Sequence, residues 1–243
     1  MQGGSDTSSA APVVLRASGL AKHFGTRAAL RDVGVEVRAG EVLAVIGPNG
    51  AGKTTLLEIL AGAQAADAGT VERAAGAHVG WVPQQLSVYG RLTVAENLRL
   101  FARLEGSGAV APRVAAMLRE TALSTRAGDL VETLSGGNRQ RVNVAVGLLG
   151  DPAVVLLDEP SASLDPGQRE RLWGFLAGRV AQGTAIVVTT HDLAEARRHA
   201  DRVLVLADGE VLFSGAPGEL AADATHDEDF ELAVLRFLKD QGH

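Results

Sequence analysis

The stretch VLAVIGPNGAGKTT, Val42 to Thr55, decides how the chain is read. Val42 to Ile46 is an apolar run too short for periodicity to assign, but the abrupt glycine after it favours a buried strand. Gly47, Gly50 and Gly52 let the backbone loop tightly with its N–H groups turned inward, and the apolar-polar pattern from Lys53 to Leu60 predicts a helix opening there. The helix N-terminus adds roughly half a positive charge. Lys53 can then reach the β- and γ-phosphates of a nucleotide, and the Thr54 hydroxyl can ligate a bridging Mg²⁺. A plain glycine turn would not need Lys-Thr after its last glycine, so G-x-x-x-x-G-K-T between strand and helix points to a nucleoside-triphosphate site.

Composition bounds what surrounds this loop. The chain has 243 residues and is 46% hydrophobic, enough for one large α/β domain or one domain with an inserted subdomain. A formal net charge of −6 gives no general attraction to nucleic acid, and no nucleic-acid partner is expected. With no cysteine, disulfides, thiolate chemistry and Cys-based metal sites are excluded. Each apolar run is broken by charge, Gly or Pro well short of the ~18 residues that a membrane span requires. Residues 1–12, rich in Gly, Ser and Ala, are expected to be a loose tail and not a signal peptide.

Upstream of the loop, Val13–Leu20 and Val33–Val37 are expected as short strands separated by a polar turn, Lys22 to Arg27. That turn carries Phe24, whose ring either stacks on a purine or caps a small β-layer. Downstream, short strands are expected at Thr70–Glu72 and His78–Val82. Pro83 ends the second, and Gln84 follows as either a hinge that ligates Mg²⁺ or an ordinary loop amide. Leu86–Asp129 reads as a helix-rich insertion. In Leu134-Ser135-Gly136-Gly137, Ser135 caps a helix expected over Gln140–Leu149, and free N–H groups at its start suit an anion. Val154–Leu157 then leads into Asp158 and Glu159, as in a parallel strand buried on both faces whose carboxyl end opens on a crevice. Alternation along the strand predicts opposite sides for the two acids, so one can hold Mg²⁺ while the other orients water. Ser161–Pro166 is a polar turn before a helix over Gln168–Val180. Ile186–Thr190 is the next buried strand, and His191 stands at its end as a γ-phosphate contact or as an ordinary surface histidine. A helix over Asp192–Ala200, a hairpin turning at Asp208-Gly209, an acidic linker over Ala221–Asp229 and an amphipathic helix over Glu231–Asp240 complete the chain.

The ordered set Phe24, Gly47–Thr55, Gln84, Leu134–Gly137, Val154–Glu159, Asp165 and His191 resembles the ATP-binding cassette (ABC) transporter ATPases from about Val13 to Gly218. Many phosphate-loop proteins share the first loop and the Asp-Glu strand, whereas Leu-Ser-Gly-Gly ahead of that strand is peculiar to this family. The resemblance implies an α/β fold with a P-loop NTPase parallel-sheet core, a small antiparallel β-layer and an inserted helical subdomain. It implies an ATPase domain over 13–220 with the helical subdomain at about 86–150, and a linker and C-terminal helix over 221–243. Phe24 then stacks on adenine, while Gly47, Pro48, Asn49, Gly50, Ala51, Gly52, Lys53, Thr54 and Thr55 hold the phosphates. Thr54, Gln84 and Asp158 hold Mg²⁺, Glu159 is the general base, and His191 and Gln84 sense the γ-phosphate. Ser135, Gly136 and Gly137 close on ATP held by a second ATPase subunit, and Asp165 links the two sites. Implied partners are that second subunit, with a homodimer expected, and a multi-span permease on a separate chain at the cytoplasmic face of the membrane. Ser161, Ser163 and Asn138 depart from the usual pattern without removing a catalytic atom. The segment Leu92–Leu98 with Phe101–Gly106 is most similar to bacterial exporter cassettes of the multidrug or antibiotic-resistance type. An importer subunit and a soluble cassette for cofactor-cluster assembly are the alternatives. DNA-repair and translation ATPases of the family would bring a long coiled coil or a second cassette, and this chain has neither.

Overall fold

The computed structural model describes residues 11–106, 108–220 and 230–242. Its centre is a six-stranded sheet ordered β5-β6-β7-β3-β8-β9, in which β3 (Val42–Ile46), β5 (Val79–Val82), β6 (Val154–Asp158), β7 (Ala185–Thr189) and β8 (Arg202–Ala207) pair in parallel. β9 (Glu210–Gly215) returns antiparallel on β8. Every residue of β3, β6 and β7 is buried, which is why these segments read as unbroken apolar runs without alternation.

Strand periodicity distributes those runs over two cores. Val42, Ala44 and Ile46 of β3 join one core with Val155 and Leu157 of β6 and Ile186 and Val188 of β7. Leu43 and Val45, with Val154, Leu156, Ala185 and Val187, join the other. Each fully buried Leu, Val or Ile contributes about 1.5–3 kcal/mol relative to exposure, so burial on both faces holds the sheet between its two layers. The second core is shared with a three-stranded antiparallel sheet, β2-β1-β4, made of β1 (Val13–Phe24), β2 (Arg27–Arg38) and β4 (Ala68–Arg73), and with helix α1 (Lys53–Ala61).

Between β5 and β6 the chain forms α2 (Val94–Leu104), α3 (Val110–Glu120) and α4 (Gly136–Gly147). α2 starts at a capping box, Thr93 with Glu96. α5 (Pro166–Val180) starts at a second one, Asp165 with Gln168, and α6 (Leu193–His199) at Asp192. Beyond α7 (Pro217–Leu220), α8 (Phe230–Asp240) buries Phe230, Ala233 and Val234, with Phe230 and Val234 joining the first core. The tail over residues 1–12 falls almost wholly outside the described residues, and the linker expected at Ala221–Asp229 lies outside them entirely.

Three local expectations are corrected. The polar turn from Lys22 to Arg27 shrinks to Gly25-Thr26, because both strands run on for 12 residues and pair Phe24 with Arg27. Polar groups there are satisfied from just ahead of β4: the Asp67 carboxylate accepts from the Lys22 ammonium at 2.9 Å and from the His23 backbone N–H at 2.7 Å. The helix expected from Gln140 begins at Gly136, directly after its Ser135 cap, and ends at Gly147. Finally, β6 stops at Asp158 and Glu159 leaves the strand in the left-handed region, φ 46°, so simple alternation does not set its direction.

Candidate functional site

The register aligns four strand ends. Val45 pairs with Thr189, Asp158 with Thr189, and Val82 with Leu157, so Gly47, Gln84, Glu159 and His191 all emerge along one edge of the parallel sheet. Crevices form where parallel strands end this way. Here the crevice is a cavity of about 730 Å³.

The loop after β3 forms its floor. Gly47 has φ 147°, and a Cβ there would lie 1.9 Å from the Leu206 carbonyl oxygen. At Gly52, φ 107°, a Cβ would lie 2.4 Å from the Ala29 oxygen, so the loop is pressed between β8 and β2 at positions only glycine fits. Asn49, Gly50, Gly52, Thr54 and Thr55 face the cavity. Ala51 is buried, and its carbonyl accepts the Gly209 N–H at 3.1 Å. The Lys53 ammonium folds back onto the carbonyls of Gly47, 2.7 Å, and Pro48, 3.1 Å. Burial holds its pKa below the ordinary 10.5, against the opposing pull of the Glu159 and Asp158 carboxylates.

Behind the lining residues Thr54 and Glu159 runs a buried chain of oxygens. The Thr54 hydroxyl donates to Asp158 Oδ2 at 2.9 Å, and Thr189 donates to Asp158 Oδ1 at 2.5 Å. The Thr189 Oγ1 also accepts the Glu159 N–H at 2.9 Å, which fixes the left-handed turn at Glu159. Glu159 Oε2 lies 3.0 Å from His191 Nδ1, and the two side chains line the cavity opposite Lys53 together with Gln84. Phe24 lines the outer rim with 51% of its surface exposed, and the Lys22 ammonium sits 5.7 Å from its ring centroid. The ring is thus half exposed at the mouth of the cavity.

Thr54 and Asp158 form an all-oxygen pair suited to a hard cation such as Mg²⁺, which typically takes one or two protein carboxylates and completes its shell with phosphate and water.

Ser135, Gly136, Gly137 and Asp165 are not brought into this cavity. Ser135 is exposed and caps α4 by accepting the Asn138 N–H. Asp165 is exposed and accepts the Gln168 N–H at 2.8 Å. The two segments meet each other instead, since a Cβ on Gly137 would lie 2.2 Å from the Gln168 side chain. The chain thus presents a cavity and, apart from it, a second surface built from the starts of α4 and α5.

Two contributors escaped the sequence. Arg27 lines the cavity and donates to the Gly50 carbonyl at 2.9 Å, bracing the phosphate loop from the β1–β2 hairpin. Thr189, read only as the end of an apolar strand, anchors both acids. A hydroxyl pair, Thr189-Thr190, closing an otherwise apolar strand was the one local signal for it.

A family model described as ABC transporter matches residues 30–162. The chain is 38% identical to the Nod factor export ATP-binding protein I of Burkholderia orbicola, over 87% of this chain and 73% of that protein. It is 32% identical to the probable multidrug ABC transporter ATP-binding protein YbhF of Escherichia coli, over 93% of this chain and 42% of that protein. Among solved structures, an ATP-binding subunit of an ABC transporter superposes with a TM-score of 0.83 at 26% identity, covering 93% of this chain and 99% of that one. A dimeric bacterial ABC transporter cassette superposes with a TM-score of 0.76 at 27% identity, covering 83% and 98%. A post-hydrolysis state of that cassette, bound to ADP and Pi, gives 0.75 at 28%, again covering 83% and 98%.

Proposed function

The chain belongs to the ABC transporter family and is an ATPase, and on that premise we propose that two copies close head to tail around two ATP molecules to drive a separate membrane permease in the export direction. One observation carries the two-copy reading. The groups suited to bind and cleave a triphosphate gather at one cavity, while Ser135, Gly136 and Asp165 are exposed apart from it, with Gly137 buried against Gln168 between their segments.

In each site the Phe24 face stacks on the adenine, and the loop N–H groups with the N-terminus of α1 receive the phosphates. Lys53 exchanges its two carbonyl partners for β- and γ-phosphate oxygens, a charge-assisted replacement that its buried position strengthens. Thr54 and Asp158, joined by Gln84, are the residues that would hold Mg²⁺, which supplies charge neutralisation at the phosphate oxygens. Glu159 orients the attacking water and takes its proton, and His191, already paired with Glu159, meets the γ-phosphate. Ser135 and Gly137 of one copy close on the nucleotide of the other through the N-terminus of α4.

No helix among the described residues is long and apolar enough to cross a membrane, and the membrane path is assigned to the separate permease. Leu86 and Tyr89, exposed just beyond Gln84, offer an apolar contact for it beside the nucleotide cavity. The export direction is supported by the relatives, which are named for Nod factor export and multidrug transport. The test is affinity purification of the tagged protein from its own membranes, followed by reconstitution of the copurified complex into vesicles. A multi-span permease with ATP-dependent efflux away from the ATPase side is the expected result. A soluble scaffold as partner, or movement toward the ATPase side, overturns the reading.

A further inference from the structure

Among the described residues two acidic side chains are buried, Asp158 and Glu195. Asp158 belongs to the nucleotide site through its bond with Thr54, but Glu195, on α6, neither lines the cavity nor bonds a residue that does. Taking a carboxylate out of water is costly unless donors replace it, and an apolar side chain would fill the same space without that cost. The donors of Glu195 come from three separate segments. Ser161 Oγ donates to Oε2 at 2.7 Å, Thr190 Oγ1 to the same oxygen at 3.1 Å, and Trp173 Nε1 to Oε1 at 2.6 Å. Arg169 brings a compensating charge, its Nε 3.9 Å from Oε1 while its Nη1 donates to Asp192 at 2.6 Å.

The identity of those segments matters more than their number. Ser161 opens the turn that leads from Glu159 to Asp165, and Thr190 stands between Thr189, which anchors Asp158 and Glu159, and His191. Trp173 lies on α5, whose cap is Asp165. Thr190 Oγ1 also accepts the Asp192 N–H at 3.0 Å, and Asp192 Oδ1 accepts the Glu195 N–H at 2.9 Å, so the turn carrying His191 is closed on Glu195 from both sides. One buried carboxylate therefore bonds the segment of His191, inside the cavity, to the segment of Asp165, outside it.

We propose that Glu195 is a positioning residue for ATP hydrolysis, locking the His191 and Asp165 segments into one unit so that the state of one nucleotide site is carried to the surface facing the partner copy. The role rests on the two-site reading above. Glu195→Ala removes all three bonds. Glu195→Gln keeps the geometry with reversed polarity, because its amide oxygen can accept from Trp173 while its amide N–H groups donate to the Ser161 and Thr190 hydroxyls, which are also acceptors. Ser161→Ala cuts only the arm to the Asp165 turn.

Each variant is assayed for ATP Kd, kcat and melting temperature, and for ATP-dependent dimers when combined with Glu159→Gln. Wild-type turnover and a Glu159→Gln dimer are the controls, and their failure counts against the two-site reading itself. Given those controls, Glu195→Ala is expected to keep ATP Kd within about twofold, lose kcat by ~10-fold or more, and weaken the trapped dimer. Glu195→Gln should recover most of both, and Ser161→Ala should weaken the dimer with ATP affinity and melting temperature intact. Wild-type kcat and dimerisation in Glu195→Ala overturn the proposal, as does a loss of kcat that only tracks melting temperature across the series. Should Glu195→Ala not fold, Ser161→Ala and Thr190→Val decide it, since normal turnover and dimerisation in both leave Glu195 no positioning role.

Discussion

Lys53 is held in a conflict that the nucleotide resolves. Its ammonium is buried against two carbonyl oxygens, and burial lowers its pKa from 10.5. Replacing it by alanine leaves phosphate charge among neutral donors, and a charge-assisted bond contributes about 1.5–3 kcal/mol, so Lys53→Ala is expected to weaken ATP binding about 10- to 100-fold in a fluorescent-nucleotide titration. The sign of the pH effect follows from the same burial. Below the free-protein pKa of Lys53 the ammonium is present and binding is at full strength; as pH rises through that pKa, binding must re-protonate the amine and affinity falls. The fall should begin below the pH at which an ordinary lysine titrates, and Lys53→Ala should flatten this component. Glu159 makes the opposite separation. Glu159→Gln preserves shape and the contact to His191 while removing the group that takes a proton, so ATP affinity should be retained and turnover lost about 10²–10⁴-fold in a phosphate-release assay. Near-normal hydrolysis would remove Glu159 from the role of base.

At the scale of elements, α4 and the segment after β5 are stapled by one buried amide. Asn143 Oδ1 accepts from Ser87 N and Oγ, both at 3.0 Å, and its Nδ2 donates to the Pro83 oxygen at 3.2 Å, bracketing Gln84. Asn143→Ala strands those partners at a cost of about 1–3 kcal/mol, and at about 2–4 °C per kcal/mol the melting temperature should drop by several degrees. An unchanged melting curve would mean that the staple carries no stability. Residues such as Asn143 also mark where sequence reading stops. The buried strands β3, β6 and β7 were legible because burial on both faces writes an unbroken apolar run into adjacent positions, and the loop from Gly47 to Thr55 because its glycines and Lys-Thr lie together. The Lys22–Arg27 turn is shorter than the local pattern predicts because Asp67, just ahead of β4, bonds the far end of β1. Apart from the Thr190 bond to Glu195, Arg27, Glu195 and Asn143 act through partners 22 to 60 positions away, and no local spacing announces such pairings. The left-handed turn at Glu159 was hidden for the same reason, since it depends on Thr189, 30 positions on.

At the scale of the whole molecule, the question is whether Lys53 and Ser135 serve one ATP within a chain or two ATP molecules across a pair. Ser135 lies outside the cavity that holds Lys53, which favours the pair. Two inactive variants distinguish the arrangements. Lys53→Ala weakens the grip on ATP and removes the cation from its β- and γ-phosphates, and Ser135→Arg sets a bulky cation at the exposed N-terminus of α4, blocking its approach to a nucleotide. In a head-to-tail pair made of one of each, one site collects both defects while the other joins an intact loop to an intact Ser135 segment. Equal mixing puts half of the pairs in this state with one sound site each, so up to about a quarter of wild-type activity should return. If each chain instead completes its own site, every site in the mixture keeps one defect and mixing restores nothing. Tight interdependence of the two sites would suppress recovery even in a true pair, so ATP-dependent mixed dimers are measured in parallel by placing both changes in a Glu159→Gln background with differently tagged chains. If wild-type chains pair with ATP but the mixture yields neither activity nor mixed dimers, Ser135 does not act on the nucleotide of the opposite copy.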